Sequence, residues 1–422
     1  MTIRAVSGGW IKNGRGSAGG ASLSLNFLNG ITDHRITYSG GANGTRVNSA
    51  GVIVAATTPR FDYNPVTLAA RGLLVEEART NSLRNNSMTG VAAGSPGTPP
   101  TNWSITSTGG VVTRTIVGSG SEAGIAYVDI RYQFSGAGNA TIAFEQNTQI
   151  AAAIGNTWTD STYLSLVSGS LTNLSLVFGI NELNGAGGFL TGSSAAITPT
   201  GAALISQRVA HTRTLTNAAT AYASPFIFFT ASGAADITLR IGYPQMELGA
   251  FATSVIPTTS ASVTRTADSA VMTGADFSSW YNQSEGTFVV SCSQPVLSGG
   301  VATIYAADAT ATPFDDRVLA FLNSSVPQTR VTTGAVEQAT ISLAGAITAG
   351  VPLKLAQAYK ANDFASCKNG GAVSTDASGA LPAVDRLEIG VISGFSYLNG
   401  HIQTIQYFPR RVANTQLQAM TL

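Results

Sequence analysis

Side chains able to do chemistry are few and scattered in this chain. Histidine occurs at His34, His211 and His401, far apart from one another. That spacing argues against a zinc site of neighbouring histidines and against a Ser-His-Asp apparatus within one domain. No H-E-x-x-H, C-x-x-C or phosphate-loop pattern occurs. Glycoside hydrolysis needs two carboxylates about 5–10 Å apart across a cleft. Glu76-Glu77 and Asp315-Asp316 are sequence neighbours, and on an extended chain neighbours point to opposite faces. Asp129, Glu145, Asp160 and Glu182 would have to converge through the fold, and turn or surface roles are expected for them instead. Asp308, Asp315 and Asp316 offer oxygen atoms to calcium, but without EF-hand spacing a loop role is expected. The expectation is no catalytic residue, no metal, no cofactor and no enzymatic activity.

Aromatic residues are the better candidates for a site. Exposed Trp and Tyr faces stack on pyranose rings, while nearby amides and carboxylates bind hydroxyls. Trp158 lies among Asn156, Thr157 and Asp160 in an expected loop, and Trp280-Tyr281 precede Asn282-Gln283. Trp103 follows Asn102 and a proline-stiffened loop. These four are the candidate glycan-binding residues. The competing reading for each tryptophan is packing in a core or subunit interface.

Elements that would carry them are short strands. Of the 422 residues only 11% are charged, 44% are hydrophobic and 46 are glycine. Disordered chains are richer in charge and poorer in apolar residues, so a folded, turn-rich β protein is expected. A formal charge of +1 leaves no broad electrostatic footprint for nucleic acid. The start, Met1 to Trp10, lacks a signal-peptide apolar run, and no apolar run is long enough to span a membrane. Cys292 and Cys367 are expected to be reduced and mostly buried, with a single bridge as the alternative.

Three segments emerge. Residues 1–85 read as an irregular β-rich head with short alternating runs such as Ser22 to Leu28. Residues 86–257 carry strand candidates at short intervals, separated by turn clusters, as in a β-sandwich. Residues 258–422 carry a further strand series. It includes a type I′ turn signal at Asn369-Gly370 and a short terminal helix starting near Asn414 or Thr415.

Two phrases punctuate these segments. The first runs from Pro59-Arg60-Phe61-Asp62-Tyr63-Asn64-Pro65 to Arg71-Gly72-Leu73-Leu74-Val75-Glu76-Glu77-Ala78-Arg79-Thr80-Asn81. It resembles a phrase of tailed-bacteriophage structural appendages: tail fibres, head fibres and spikes. The second, Ile241-Gly242-Tyr243-Pro244-Gln245-Met246-Glu247-Leu248-Gly249 through Ile256-Pro257-Thr258, is similar to the closing strand of the carbohydrate-binding-type jelly roll that often follows. Gly286-Thr287-Phe288-Val289, Ala358 to Phe364, Leu398 to Ile402 and Tyr407-Phe408-Pro409-Arg410-Arg411 resemble the concanavalin-like (laminin-G-like) jelly roll at the end of such proteins.

The resemblance implies an all-β chain of two tandem jelly-roll sandwiches, an N-terminal virion-attachment segment and a short C-terminal helix. It also implies a homo-oligomer, a trimer by preference, joined to other virion proteins through residues 1–85. Its sandwiches would adhere to host surface polysaccharide. A purely structural decoration protein and a polysaccharide-cleaving depolymerase are the alternatives.

Overall fold

A computed structural model of the chain describes residues 20–110 and 112–422. The stretch read for a signal peptide and the start of the expected attachment segment lie outside them. The described residues are nearly all β, with two short α-helices among them, Gly274–Ser278 and Asn414–Met420. Among the described residues no helix is long and apolar enough to cross a membrane.

The middle of the chain forms a sandwich of two five-stranded antiparallel sheets. One is ordered Arg208–Thr214, Thr157–Gly169, Ala235–Leu248, Ile125–Phe134, Val112–Glu122. The other is ordered Phe189–Ile197, Leu174–Leu183, Tyr222–Ala231, Gly138–Ala143, Ser104–Gly109. Inward residues such as Ile130, Ile142, Phe178, Ile227, Phe229 and Leu239 are buried in one core. Alternation along each strand places them there, because successive side chains face opposite sides.

The second sandwich draws on both ends of the chain. Its eight-stranded sheet runs Ser374–Asp376, Asp363–Lys368, Leu353–Lys360, Glu285–Ser293, Gly400–Phe408, Ala70–Val75, Phe61–Tyr63, and Leu23–Asn26 also pairs with Gly400–Phe408. The facing seven-stranded sheet starts with Thr37–Ser39 and continues through Ser269–Thr273, Arg386–Ile389, Val301–Asp308, Arg317–Asn323, Val326–Thr333 and Val336–Ser342. The expected boundary at residue 85 therefore does not separate an independent head. Leu23, Leu25, Phe27, Leu73 and Val75 lie in the same core as Phe288, Tyr305 and Ile405. The physical reason is that strands of three to six residues bury too little surface to stand alone, and here they complete a larger sheet.

On the outer face of the eight-stranded sheet, Ala356, Ala358, Ala365 and Cys367 are small, and Leu417 of the terminal helix packs onto them. Small residues let the helix approach the sheet. Asn369 and Gly370 both adopt positive φ, 46° and 69°, as a type I′ turn requires. Strand pairing resumes only at Ser366 and Ser374, so the connection is longer than two residues. Both cysteines are free and buried.

Candidate binding cleft at the seam of the two sandwiches

The two phrases singled out in the sequence meet at the seam between the sandwiches. Glu76 lies at their centre. Its Oε1 accepts the Ser254 backbone N–H at 2.9 Å, and its Oε2 accepts the Ser254 hydroxyl at 2.7 Å. Oε2 also pairs with Arg60 Nη1 at 2.8 Å and Arg265 Nη1 at 2.9 Å. Both guanidinium groups are withdrawn from solvent. Arg60 is further held by Asp268, which in turn accepts the Glu76 backbone N–H at 2.8 Å. Burial opposes a charge on Glu76, but Arg265 and Arg60 outweigh it and hold the carboxyl well below the usual range. Glu77 points away, toward Arg79 at 2.6 Å.

Amides complete the seam. Asn81 Oδ1 accepts the Met246 N–H, and its amide group donates to Ile256 O. Gln245 Oε1 accepts the Ile256 N–H at 2.7 Å. Gly249 adopts φ +139°, and a Cβ there would sit 1.7 Å from Arg79 Nη1. A side chain at this position would expel the arginine.

Beside the seam opens a cavity of about 310 Å3. Three stretches of the chain wall it: Arg46, Asp62 and Arg71 from the first, Tyr163 and Arg208 from the middle sandwich, and Pro295, Val296 and His401 from the second. A smaller pocket of about 140 Å3 shares Arg71, Pro295 and His401 and adds Asn64, Ser293 and Gln403. Asp62 Oδ1 accepts the Val47 N–H at 2.7 Å, and Oδ2 meets His401 Nε2 at 2.9 Å. Arg208 donates to Thr253 O at 2.7 Å and Ser161 Oγ at 2.9 Å, with its guanidinium 5.6 Å from the Tyr163 ring centre. Arg46 donates to Phe61 O at 3.3 Å.

The expected sugar platforms are elsewhere. Trp103, Trp158 and Trp280 are only 7%, 6% and 4% exposed. Trp103 donates Nε1–H to Asn85 O and packs edge-on against Phe144. Trp158 is not in a loop; it belongs to the strand Thr157–Gly169 and points into the middle core. Trp280 and Tyr281 pack on Phe277 and Tyr407 within the second core. An enclosed ring has no face to offer a pyranose, which leaves the three tryptophans as packing residues, whereas Tyr281 is half-buried.

The carboxylates remain apart as well. Asp129 pairs with Arg240, Glu145 with Arg84 and Glu182 with Arg213. Burial would push Glu182 up, but bonds from Thr220, Asn217, Arg213 and Thr216 hold it at about 2. Asp160 is fully buried, neither oxygen has a good hydrogen-bond partner, and burial raises its carboxyl well above the usual range. Asp316 ties two turns together, accepting the Gly334 N–H and the Thr312 hydroxyl. Among the described residues no cluster of potential metal ligands forms.

Sequence reasoning missed the cleft, and the loop role expected of Asp308 does not hold, because it ends the strand Val301–Asp308. Asp308 shares Arg386 with Glu388 across neighbouring strands, and burial together with the Glu388 charge pushes it to about 7. It is fully buried and offers nothing to an outside molecule. A signal for the cleft did exist. Six of the twenty residues from Arg60 to Arg79 are charged, in a chain that is 11% charged overall.

No protein-family model and no curated protein sequence matches the chain. Among solved structures, the Ruminococcus gnavus IT-sialidase CBM40 bound to alpha2,3 sialyllactose is similar over 33% of this chain and 84% of its own, at 14% identity and TM-score 0.29. A heptameric SAP-like pentraxin from Limulus polyphemus is similar over 33% and 70%, at 13% identity and TM-score 0.24. Trypanosoma rangeli sialidase is similar over 74% and 66%, at 10% identity and TM-score 0.28. Against the expectation of a non-enzymatic chain, an enzyme stands among the structures similar over most of it. At 10% identity and this TM-score the likeness assigns no activity.

Proposed function

We propose that the chain is a glycan-binding subunit of a tailed-phage virion appendage, and that the cleft beside the seam receives the sugar. One observation carries this reading: the cavity of about 310 Å3 gathers charged, aromatic and hydroxyl groups from three distant stretches of the chain. Ligand sites are typically concave, few per protein and furnished with a small number of convergent polar groups. The resemblance of the two seam phrases to phage appendages supports the virion setting, with host surface polysaccharide as the target. Copies assembled as a trimer would bind by avidity, since linked weak sites reinforce one another without new contacts.

Binding of the purified chain to an array of bacterial surface polysaccharides tests the reading. The expected result is retention of a subset of glycans and its loss on substituting Arg71, with thermal stability unchanged. No retention on any glycan would sink it. Release of reducing ends from a bound polysaccharide would turn the adhesin into a depolymerase.

A further inference from the structure

The cleft is rich in donors that the protein itself does not use. Arg71 makes no hydrogen bond among the described residues; its nearest charge is Asp62, at 3.9 Å, and the side chain is 35% exposed. That distance exceeds hydrogen-bond reach, so all five guanidinium N–H groups remain available. Asn64 spends Oδ1 on the Val66 and Thr67 N–H groups, leaving its amide hydrogens free. Gln403 spends Oε1 on the Ser291 hydroxyl, leaving its amide hydrogens free too. Arg71 stands on the wall common to the 310 Å3 and 140 Å3 lobes, and Asn64 and Gln403 line the smaller one.

Acceptors are scarce by comparison. Asp62 is engaged by Val47 and His401, and Glu76 by Arg60, Arg265 and Ser254. A neutral sugar brings hydroxyls that both donate and accept, but no counter-charge for a guanidinium whose nearest carboxylate is 3.9 Å away. A carboxylate brings two acceptor oxygens in the geometry that an arginine fork fits. The two lobes on either side of Arg71 leave room for a sugar unit on each side of the anion.

We infer that this two-lobed cleft takes a carboxylated saccharide of the hexuronate class, its carboxylate on the Arg71 guanidinium and its neighbouring oxygens on Asn64 and Gln403. The inference rests on the glycan-binding reading above and narrows it to acidic sugars.

The test is calorimetric titration of the full chain with an oligogalacturonate, its methyl-esterified counterpart, and inorganic phosphate. Arg71→Ala, Arg71→Lys and Gln403→Ala are titrated in parallel, and circular dichroism confirms that each is folded. The acidic oligomer should bind at least about tenfold more tightly than the ester, since hydrogen bonds to charged groups are the stronger kind. Arg71→Ala should erase that preference, and Arg71→Lys should restore only part of it. Equal binding of acid and ester, lost in Arg71→Ala, would leave a sugar site but overturn the carboxylate assignment. Preference for the acid that survives Arg71→Ala would place the site elsewhere and overturn it too. Phosphate binding as tightly as the oligomer would reduce the cleft to a general anion site. Binding of no saccharide, acidic, esterified or from the polysaccharide array, would bring down the glycan reading itself.

Discussion

Ser254 donates both its backbone N–H and its hydroxyl to the Glu76 carboxylate, at 2.9 and 2.7 Å, across 178 residues of sequence. The same hydroxyl oxygen accepts from Arg60 at 2.8 Å and Arg265 at 3.0 Å. The seam is thus a closed network in which each buried charge depends on the others.

Glu76→Gln keeps the shape and removes the charge, which leaves Arg60 and Arg265 short of a counter-charge. Breaking a buried ion pair from one side costs about 3–5 kcal/mol. Urea denaturation should show a loss of that order. A loss under 1 kcal/mol would mean that water reaches the seam.

Asp160→Asn reads a buried carboxyl directly. The folded-state pKa is raised above the unfolded value of 3.8 by burial. Its contribution to stability is therefore full below pH 3.8 and is lost as pH rises toward the folded value. Across that window the variant should gain about 1.4 kcal/mol per pH unit relative to the parent. Parallel stability-versus-pH curves would show that Asp160 is ionised and solvated.

Asp308 should titrate near neutrality, at about 7, because burial and Glu388 both disfavour its charge. Being raised, it too stabilises at low pH and loses that contribution as pH climbs from 3.8 through about 7. Carboxyl chemical shifts followed by NMR should show Asp308 titrating in that range. A single Asp308 step near 4 would refute the pairing.

Trp280→Ala removes a ring packed against Phe277, Phe288 and Tyr407. It should cost about 3–5 kcal/mol of stability. Trp158→Ala should do the same in the middle sandwich. Glycan retention by the surviving folded fraction should be unaffected, as neither ring borders the cleft.

Leu25→Ala tests whether the first strand belongs to the second sandwich. Leu25 is 3% exposed and pairs with Ile405, so a loss of about 2–5 kcal/mol is expected. Unfolding monitored by Trp280 fluorescence should report it. If the second sandwich melts unchanged, the early strands are not part of its cooperative unit.

Local pattern carried much of the architecture. Alternation along Ala235–Leu248 and Gly400–Phe408, and the turn residues between strands, are short-range signals that any reader of the chain meets in order. The all-β class, the sandwiches and the C-terminal helix followed from them. The two seam phrases also stood out, through their resemblance to phage appendages and jelly rolls, and the first of them is dense in charge for a charge-poor chain.

Partnership across the chain was another matter. Leu23–Asn26 looks like any short strand, and only the tertiary structure sets it beside Gly400–Phe408. Trp158 looked available beside Asn156 and Asp160, yet a strand turns it into the core. His401 and Asp62 are 339 residues apart, and neither carries a sign that it will face the other. Alternation, turns and charge were legible in the chain alone, since they depend on near neighbours. Burial, ion pairing and the cleft around Arg71 depend on which distant strands pack together, and the free energy of that packing belongs to no local segment.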